Sequence, residues 1–185
     1  MIEAVCFDIE TTSLNANFGI VLAAVIKASN GKPKVYSIDK FNKKWPKEKS
    51  DDHALVSAIV DELGKYDILV AHNGLKFDIP YLKTRLLYWG DTRPFPEKKI
   101  IDPYQIIKKH LKLSSNSLES IADLLNLKHR KTPVDGRVWM KAYLDGCPKS
   151  LRYIIEHCVQ DVLVLEEMLD YVKGFCKSFN PYGSA

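Results

Sequence analysis

At 185 residues, with 46% hydrophobic and 27% charged side chains, the chain has the length and composition of one folded domain that needs no disulfide or metal staple. That balance excludes disordered and fibrous classes, and the length argues against two independent domains. Net charge is +4, from 27 basic and 23 acidic residues, so a polyanionic partner must be recognised from where charges cluster, not from their sum.

Val- and Ile-rich segments at residues 4–10, 19–27 and 34–38, separated by Asn, Ser, Gly and Pro, predict three strands that form antiparallel neighbours. Residues 42–52 are basic and irregular. Leu55, Val56, Ile59, Val60 and Leu63 then fall at helical spacing and put an apolar stripe on one face. Residues 67–71 read as a short buried strand, 79–89 as a helix with Pro80 tolerated in its first turn, and a brief fifth strand ends near Ile101. From Pro103 onward the periodicity is helical: 104–111, then 118–125 with Ser117 as a cap, and 138–144 after a basic loop. The last helix starts at Pro148 and runs to about Val172, with Leu151, Ile154, Cys158, Val162, Leu165 and Leu169 in its buried stripe. This order predicts an α/β fold, a mixed central β-sheet flanked by α-helices, with residues 1–179 as one domain and 180–185 as a tail.

The four cysteines, Cys6, Cys147, Cys158 and Cys176, share no C-x-x-C spacing, and Cys6 and Cys158 sit in apolar patterns where a reduced thiol packs as a small hydrophobe. The first residues run into a strand with no basic region before it, and no apolar run is long enough to cross a bilayer. The expectation is a cytoplasmic, intracellular protein with no membrane partner.

Three acidic motifs carry the chemistry. Asp8 and Glu10 are two apart on the first strand and project from one face, while Val5, Phe7 and Ile9 bury the other and fix the register. Such a pair also occurs on ordinary solvated strand ends. Asp78 stands in the first turn of a helix, after the polar loop Ala71-His72-Asn73-Gly74-Leu75-Lys76-Phe77. Complementing the helix dipole would be sufficient reason for an acid there. His157 and Asp161 are i and i+4 on the last helix, and Asp161 lies among Val159, Val162, Leu163 and Val164, where a carboxylate is costly without a positive partner. His157 reads equally as a half-buried histidine hydrogen-bonded to Asp161.

Taken together, D-x-E on the first strand, N-x-x-x-F-D after the fourth, and a ring residue four before an Asp on the last helix resemble the DEDD (DnaQ-like) exonuclease superfamily. The likeness spans nearly the whole chain. Leu118-Glu119-Ser120-Ile121-Ala122-Asp123-Leu124-Leu125, followed by Lys131-Thr132 and Trp139, is similar to the stretch before the last motif in proofreading exonuclease domains of family B DNA polymerases. In one respect the chain departs: the subfamily with this spacing has Tyr where His157 stands, and the subfamily that uses His has one more residue before the Asp. The resemblance implies a ribonuclease H-like fold and removal of nucleoside 5′-monophosphates from a 3′ end. It implies that Asp8, Glu10, Asp78 and Asp161 bind metal, that His157 orients water or acts as general base, and that Thr11, Leu14, Asn73 and Phe77 hold the terminal nucleotides.

Phosphodiester cleavage needs a nucleophile made from water and stabilisation of the attacking and leaving oxygens, which two divalent ions supply. Oxygen ligands suit Mg²⁺ or Mn²⁺. Basic residues that would track phosphate are Lys128, His129, Arg130 and Lys131, and the lysines 40, 43, 44, 47 and 49 beside Phe41 and Trp45; solvated loops would look the same. The expected activity is a metal-dependent 3′–5′ exonuclease on single-stranded DNA or frayed 3′ ends, alone or with a polymerase or repair complex. An exoribonuclease of the same fold and an inactive nucleic-acid-binding module are the rival readings.

Overall fold

The computed structural model describes residues 3–29 and 31–175; the predicted tail at 180–185 and Cys176 lie outside them. Strands β1 (Ala4–Thr11), β2 (Val21–Ala28) and β3 (Lys34–Ser37) pair antiparallel in succession, while β4 (Ile68–Val70) and β5 (Lys99–Ile101) are parallel to β1. The sheet order is β3-β2-β1-β4-β5, so the strand with the D-x-E pair is central. Its register with β2 sets Asp8 opposite Val25 and Glu10 opposite Ala23, and slips immediately after Glu10. Thr11 resumes the pairing one place on, opposite Val21, so the slip re-aims the chain where it leaves the strand.

Ile38, expected to end the third strand, instead opens the short helix α1 (Ile38–Phe41). Its side chain is fully buried and Asp39 sits in the first turn, both of which favour the turn over continued pairing at this sheet edge. The helices α2 (His53–Leu63), α3 (Asp78–Tyr88), α4 (Pro103–His110), α5 (Leu118–Leu124), α6 (Gly136–Asp145) and α7 (Pro148–Val172) fall where periodicity places them, within a residue or two. Ser117 caps α5 as expected, its Oγ accepting from the Ser120 amide.

Alternation along β1 divides the interior into two layers. Val5, Phe7 and Ile9 pack with Leu55 and Ile59 of α2 and Leu82 of α3. Cys6 belongs to the opposite layer, with Ile107 of α4, Ile121 of α5, and Cys158 and Val162 of α7. Asp8 and Glu10 share the Cys6 side, so they meet helix α7 and not open solvent. A buried pair ties the first layer together: Arg85 donates to Asp52 (Nη2–Oδ1 2.6 Å), which also accepts from Trp89 Nε1 and the Val21 amide. Arg85 Nη1 additionally donates to the Ala16 carbonyl, so this pair anchors the loop that follows β1. Among the described residues no helix is long and apolar enough to cross a membrane.

Candidate active site

The parallel ladder between β1 and β4 ends at Cys6 and Val70, leaving the rest of β1 without a strand on that side. Asp78 fills the gap: its Oδ1 accepts from the Ile9 amide at 3.2 Å, and the side chain is almost wholly buried beside β1. The chain reaches it through a tight turn in which Asn73 takes a left-handed conformation (φ 62°) that Asn tolerates. At Gly74 any Cβ would lie 2.3 Å from the Ala71 Cβ, so only glycine allows the approach. Asp102, at the end of β5, clamps this turn by accepting from the Asn73 and Leu75 amides.

From the other side α7 brings His157 and Asp161, both buried, against the D-x-E face. His157 Nε2 lies 3.8 Å from Glu10 Oε1 and 3.6 Å from Asp161 Oδ2, while its Nδ1 is 2.5 Å from Thr132 Oγ1. The positive partner that Asp161 required is Lys131, whose Nζ donates to Asp161 Oδ2 at 2.7 Å. The second oxygen, Asp161 Oδ1, is buried with no hydrogen-bond partner among the described residues. Cys158, one residue after His157, sits behind Asp8 with its Sγ 3.4 Å from Asp8 Oδ2.

These groups strongly perturb one another. Burial raises the Asp8 carboxyl well above its ordinary value, and the charges of Asp78, Glu10 and Asp161 push it further. Burial and then Asp161 lift Glu10 to about 8, against the opposing pull of Lys131 and the Trp139 N–H. Asp78 is raised to about 7, because burial outweighs its backbone hydrogen bonds. Burial works against the Lys131 ammonium, yet the pull of Asp161, Asp8 and Glu10 keeps it above the usual lysine value. Burial also pushes the His157 imidazole below its ordinary range, only partly opposed by Asp161. The Cys158 thiol is driven well up by burial and the neighbouring acids, so it remains protonated and donates to Asp8.

Metal fits this donor set. Single ligand atoms of Glu10, His157 and Asp161 lie within 4.8 Å of one another, as do those of Asp8, Glu10 and Cys158. With the thiol protonated, the remaining ligand atoms are carboxylate oxygens and the His157 ring nitrogen, and the predominance of oxygen suits hard divalent cations. The unpartnered Asp161 Oδ1 is an acceptor for which the described residues supply no donor.

The acids form the floor of an open cleft of about 860 Å³. One wall is the chain leaving β1, including Thr11 and Leu14, with Phe77 beside it. The other is α6 and the loop before it, presenting Val134, Arg137, Trp139, Met140 and Lys141. Of the residues singled out in the sequence, Asp8, Glu10, Asp161, His157, Thr11, Leu14, Phe77 and Lys131 all line this cleft. Asp78 lies beneath it, and Asn73 is held in its turn by Asp102 and does not reach the lining. Trp139 is the main addition. Its Nε1 donates to Glu10 Oε2 at 3.2 Å and its ring meets His157 edge-on at 5.4 Å. Thr132, which like Trp139 belongs to the stretch quoted for the resemblance but was given no role there, joins the site too, as do Cys158, Arg137 and Lys141, whose local sequence gives no sign of it.

The chain matches the family model described as RNase_H superfamily over residues 5–173. It is 27% identical to a DNA polymerase of Methanocaldococcus jannaschii over 185 aligned positions, which cover 86% of this chain and 11% of that protein. It is 33% identical over 103 positions to a DNA polymerase III PolC-type of Ureaplasma parvum, covering 46% of this chain and 7% of the relative. Among solved structures, a family B DNA polymerase from the hyperthermophilic archaeon Pyrobaculum calidifontis shares the fold, with a TM-score of 0.70 over 94% of this chain and 25% of that one at 20% identity. The chain therefore spans only a small part of each of these proteins.

Proposed function

The chain belongs to the RNase_H superfamily, and from that membership and its acidic cleft we propose that it is a metal-dependent 3′–5′ exonuclease acting on single-stranded DNA or frayed 3′ ends. The observation that carries this reading is the convergence of Asp8, Glu10 and Asp161 on the floor of one cleft, with Asp78 directly beneath and one Asp161 oxygen left without a donor among the described residues. A folding role alone would not gather four carboxylates around a single ammonium, because their mutual repulsion opposes burial. The relatives named above as DNA polymerases support DNA as the substrate class and a polymerase or repair complex as the partner.

In this reading Asp8, Glu10, Asp78 and Asp161 hold two Mg²⁺ or Mn²⁺ ions. When bound, such ions neutralise the acids and stabilise charge on the attacking and leaving oxygens. Of the chain's own groups, His157 is suited to take the proton from the attacking water at Nε2. Burial keeps its imidazole neutral near pH 7, Thr132 fixes the ring through Nδ1, and Nε2 faces the acids. Trp139 holds Glu10 in position through its indole N–H. Leu14 and Phe77 offer apolar surface to a terminal base, which reads single strands with little sequence preference.

The test uses 3′-labelled and 5′-labelled DNA and RNA oligomers with Mn²⁺, and Asp8→Ala as the control. The expected result is labelled mononucleotide released first from 3′-labelled DNA, a shortening ladder from 5′-labelled DNA, and neither from the variant. Absence of any release, or equal release by Asp8→Ala, ends this reading; preference for the RNA oligomer moves it to the ribonuclease alternative.

A further inference from the structure

The floor of the cleft is acidic, so a polyanion entering it needs cations elsewhere along its path. The two basic clusters conspicuous in the sequence behave differently in the fold. In the loop at residues 128–131, Glu167 accepts from the Lys128 and His129 backbone amides and pairs with the His129 ring, while the Lys128 side chain is exposed but does not line the cleft. Arg130 is occupied by the Ala122 and Leu127 carbonyls and Asn126 Oδ1, and Lys131 by Asp161.

A different row of positive charge runs from the cleft along α6. Arg137 and Lys141 are i and i+4 on one helix face, and both line the cleft. Arg137 pairs with Asp135 at the helix start, whereas Lys141 is exposed and forms no ion pair among the described residues. One turn further on, the Leu144 carbonyl accepts from Lys49 Nζ. There α6 ends in left-handed Gly146, whose missing Cβ leaves room for Pro46, so the lysine-rich segment is packed against the end of the helix. Lys43 and Lys47 of that segment are exposed and also lack an ion partner among the described residues. The distance along the axis from Arg137 to Leu144 is about 10 Å. Val134 and Met140 accompany this row as exposed apolar side chains, and exposed Leu14 lines the same cleft.

Resting on the nuclease reading above, we propose that the single strand leaves the cleft along α6, with Lys141 as its first phosphate contact beyond the acids and the lysine-rich segment at residues 43–49 as the next. Charge complementarity fixes the occupant as a polyanion, and the exposed apolar residues beside the cations fit bases that are not paired.

The experiment is fluorescence anisotropy with 5′-labelled oligothymidylates of four and twelve nucleotides. Phosphorothioate links at the 3′ end prevent cleavage, and Kd is measured in Mg²⁺ between 50 and 200 mM KCl. Each lost phosphate contact lowers the slope of log K against log salt by about 0.7. Lys141→Ala is expected to lower the slope for both oligomers. The double variant Lys43→Ala/Lys47→Ala lowers it more for the 12-mer than for the 4-mer, which has fewer phosphates to offer that segment. Lys128→Ala leaves both slopes unchanged, and unaltered melting temperatures confirm that the variants are folded. Full slopes in Lys141→Ala and in the double variant, or a larger loss in Lys128→Ala, overturn the path. If that occurs while wild-type protein binds the 12-mer and releases nucleotides from unmodified DNA, the exonuclease reading survives; if wild type binds neither oligomer, both fail.

Discussion

Replacing Lys131 with Met keeps the aliphatic stem and removes the ammonium that lies 2.7 Å from Asp161 Oδ2. At an effective dielectric near 20, unit charges about 4 Å apart interact by about 4 kcal/mol, and truncating one member of a buried pair costs about 3–5 kcal/mol. The Lys131 side chain is 26% exposed and Asp161 6%, so water screens part of the interaction. The expected loss in metal-free protein is therefore about 2–3 kcal/mol, or a fall of about 4–12 °C in melting temperature for a chain of this size. Divalent metal brings positive charge to the same carboxylates. Once Mn²⁺ saturates both proteins, the difference between Lys131→Met and wild type should shrink below about 1 kcal/mol, while wild type itself melts higher than without metal. The assay is thermal unfolding of both proteins, stripped with chelator and then titrated with Mn²⁺. An equal loss with and without Mn²⁺, or a wild-type melting temperature that Mn²⁺ leaves unchanged, would refute the reasoning and with it the metal site.

The same carboxylates set a pH dependence. Burial and neighbouring charge raise Glu10 from 4.5 to about 8, and burial raises Asp78 from 3.8 to about 7, so the folded protein retains protons that the unfolded chain releases. Metal-free protein should be most stable near pH 4 as far as these groups are concerned, losing that contribution as pH rises towards 8; urea unfolding at pH 5 and pH 8 in chelator checks the sign, and saturating Mn²⁺ should flatten the trend. His157→Ala is expected to lower the turnover number by about 10²- to 10⁴-fold with the fold intact, and a variant with full activity removes His157 from the proton transfer. Asp52→Ala leaves Arg85 buried and unpaired, with an expected loss of about 3–5 kcal/mol in chemical unfolding, whereas a loss under about 1 kcal/mol would show the pair to be dispensable.

Much of this was legible in the order of residues. Period-two alternation in β1 placed Asp8 and Glu10 on one side, and the apolar setting of Asp161 demanded a cation, which proved to be Lys131. What strands face was less accessible. The acids of β1 resembled a solvated strand end because the helix that covers them, α7, arrives about 150 residues later. Cys158 looked like simple packing because its hydrogen bond to Asp8 exists only in the tertiary structure. Helix α6 was the least readable: only Ala142 on it is fully buried, so its pattern does not say which face meets the cleft. Trp139, Arg137 and Lys141 were therefore unassigned until the helix was docked. The lysines at 128–131, prominent as a run, lie in a loop that Glu167 pins from helix α7.

The hydrogen bond from the Ile9 amide to Asp78 bears on how an inactive form of this protein should be made. One oxygen of that carboxylate closes the edge of the central strand, so an alanine there would blur a chemical defect with a structural one. Glu10 has no such second duty: its contacts are an indole N–H and a ring nitrogen within the cleft. Glutamine at that position would still accept from Trp139 while giving up the charge, which makes it the cleaner choice for trapping a bound strand intact.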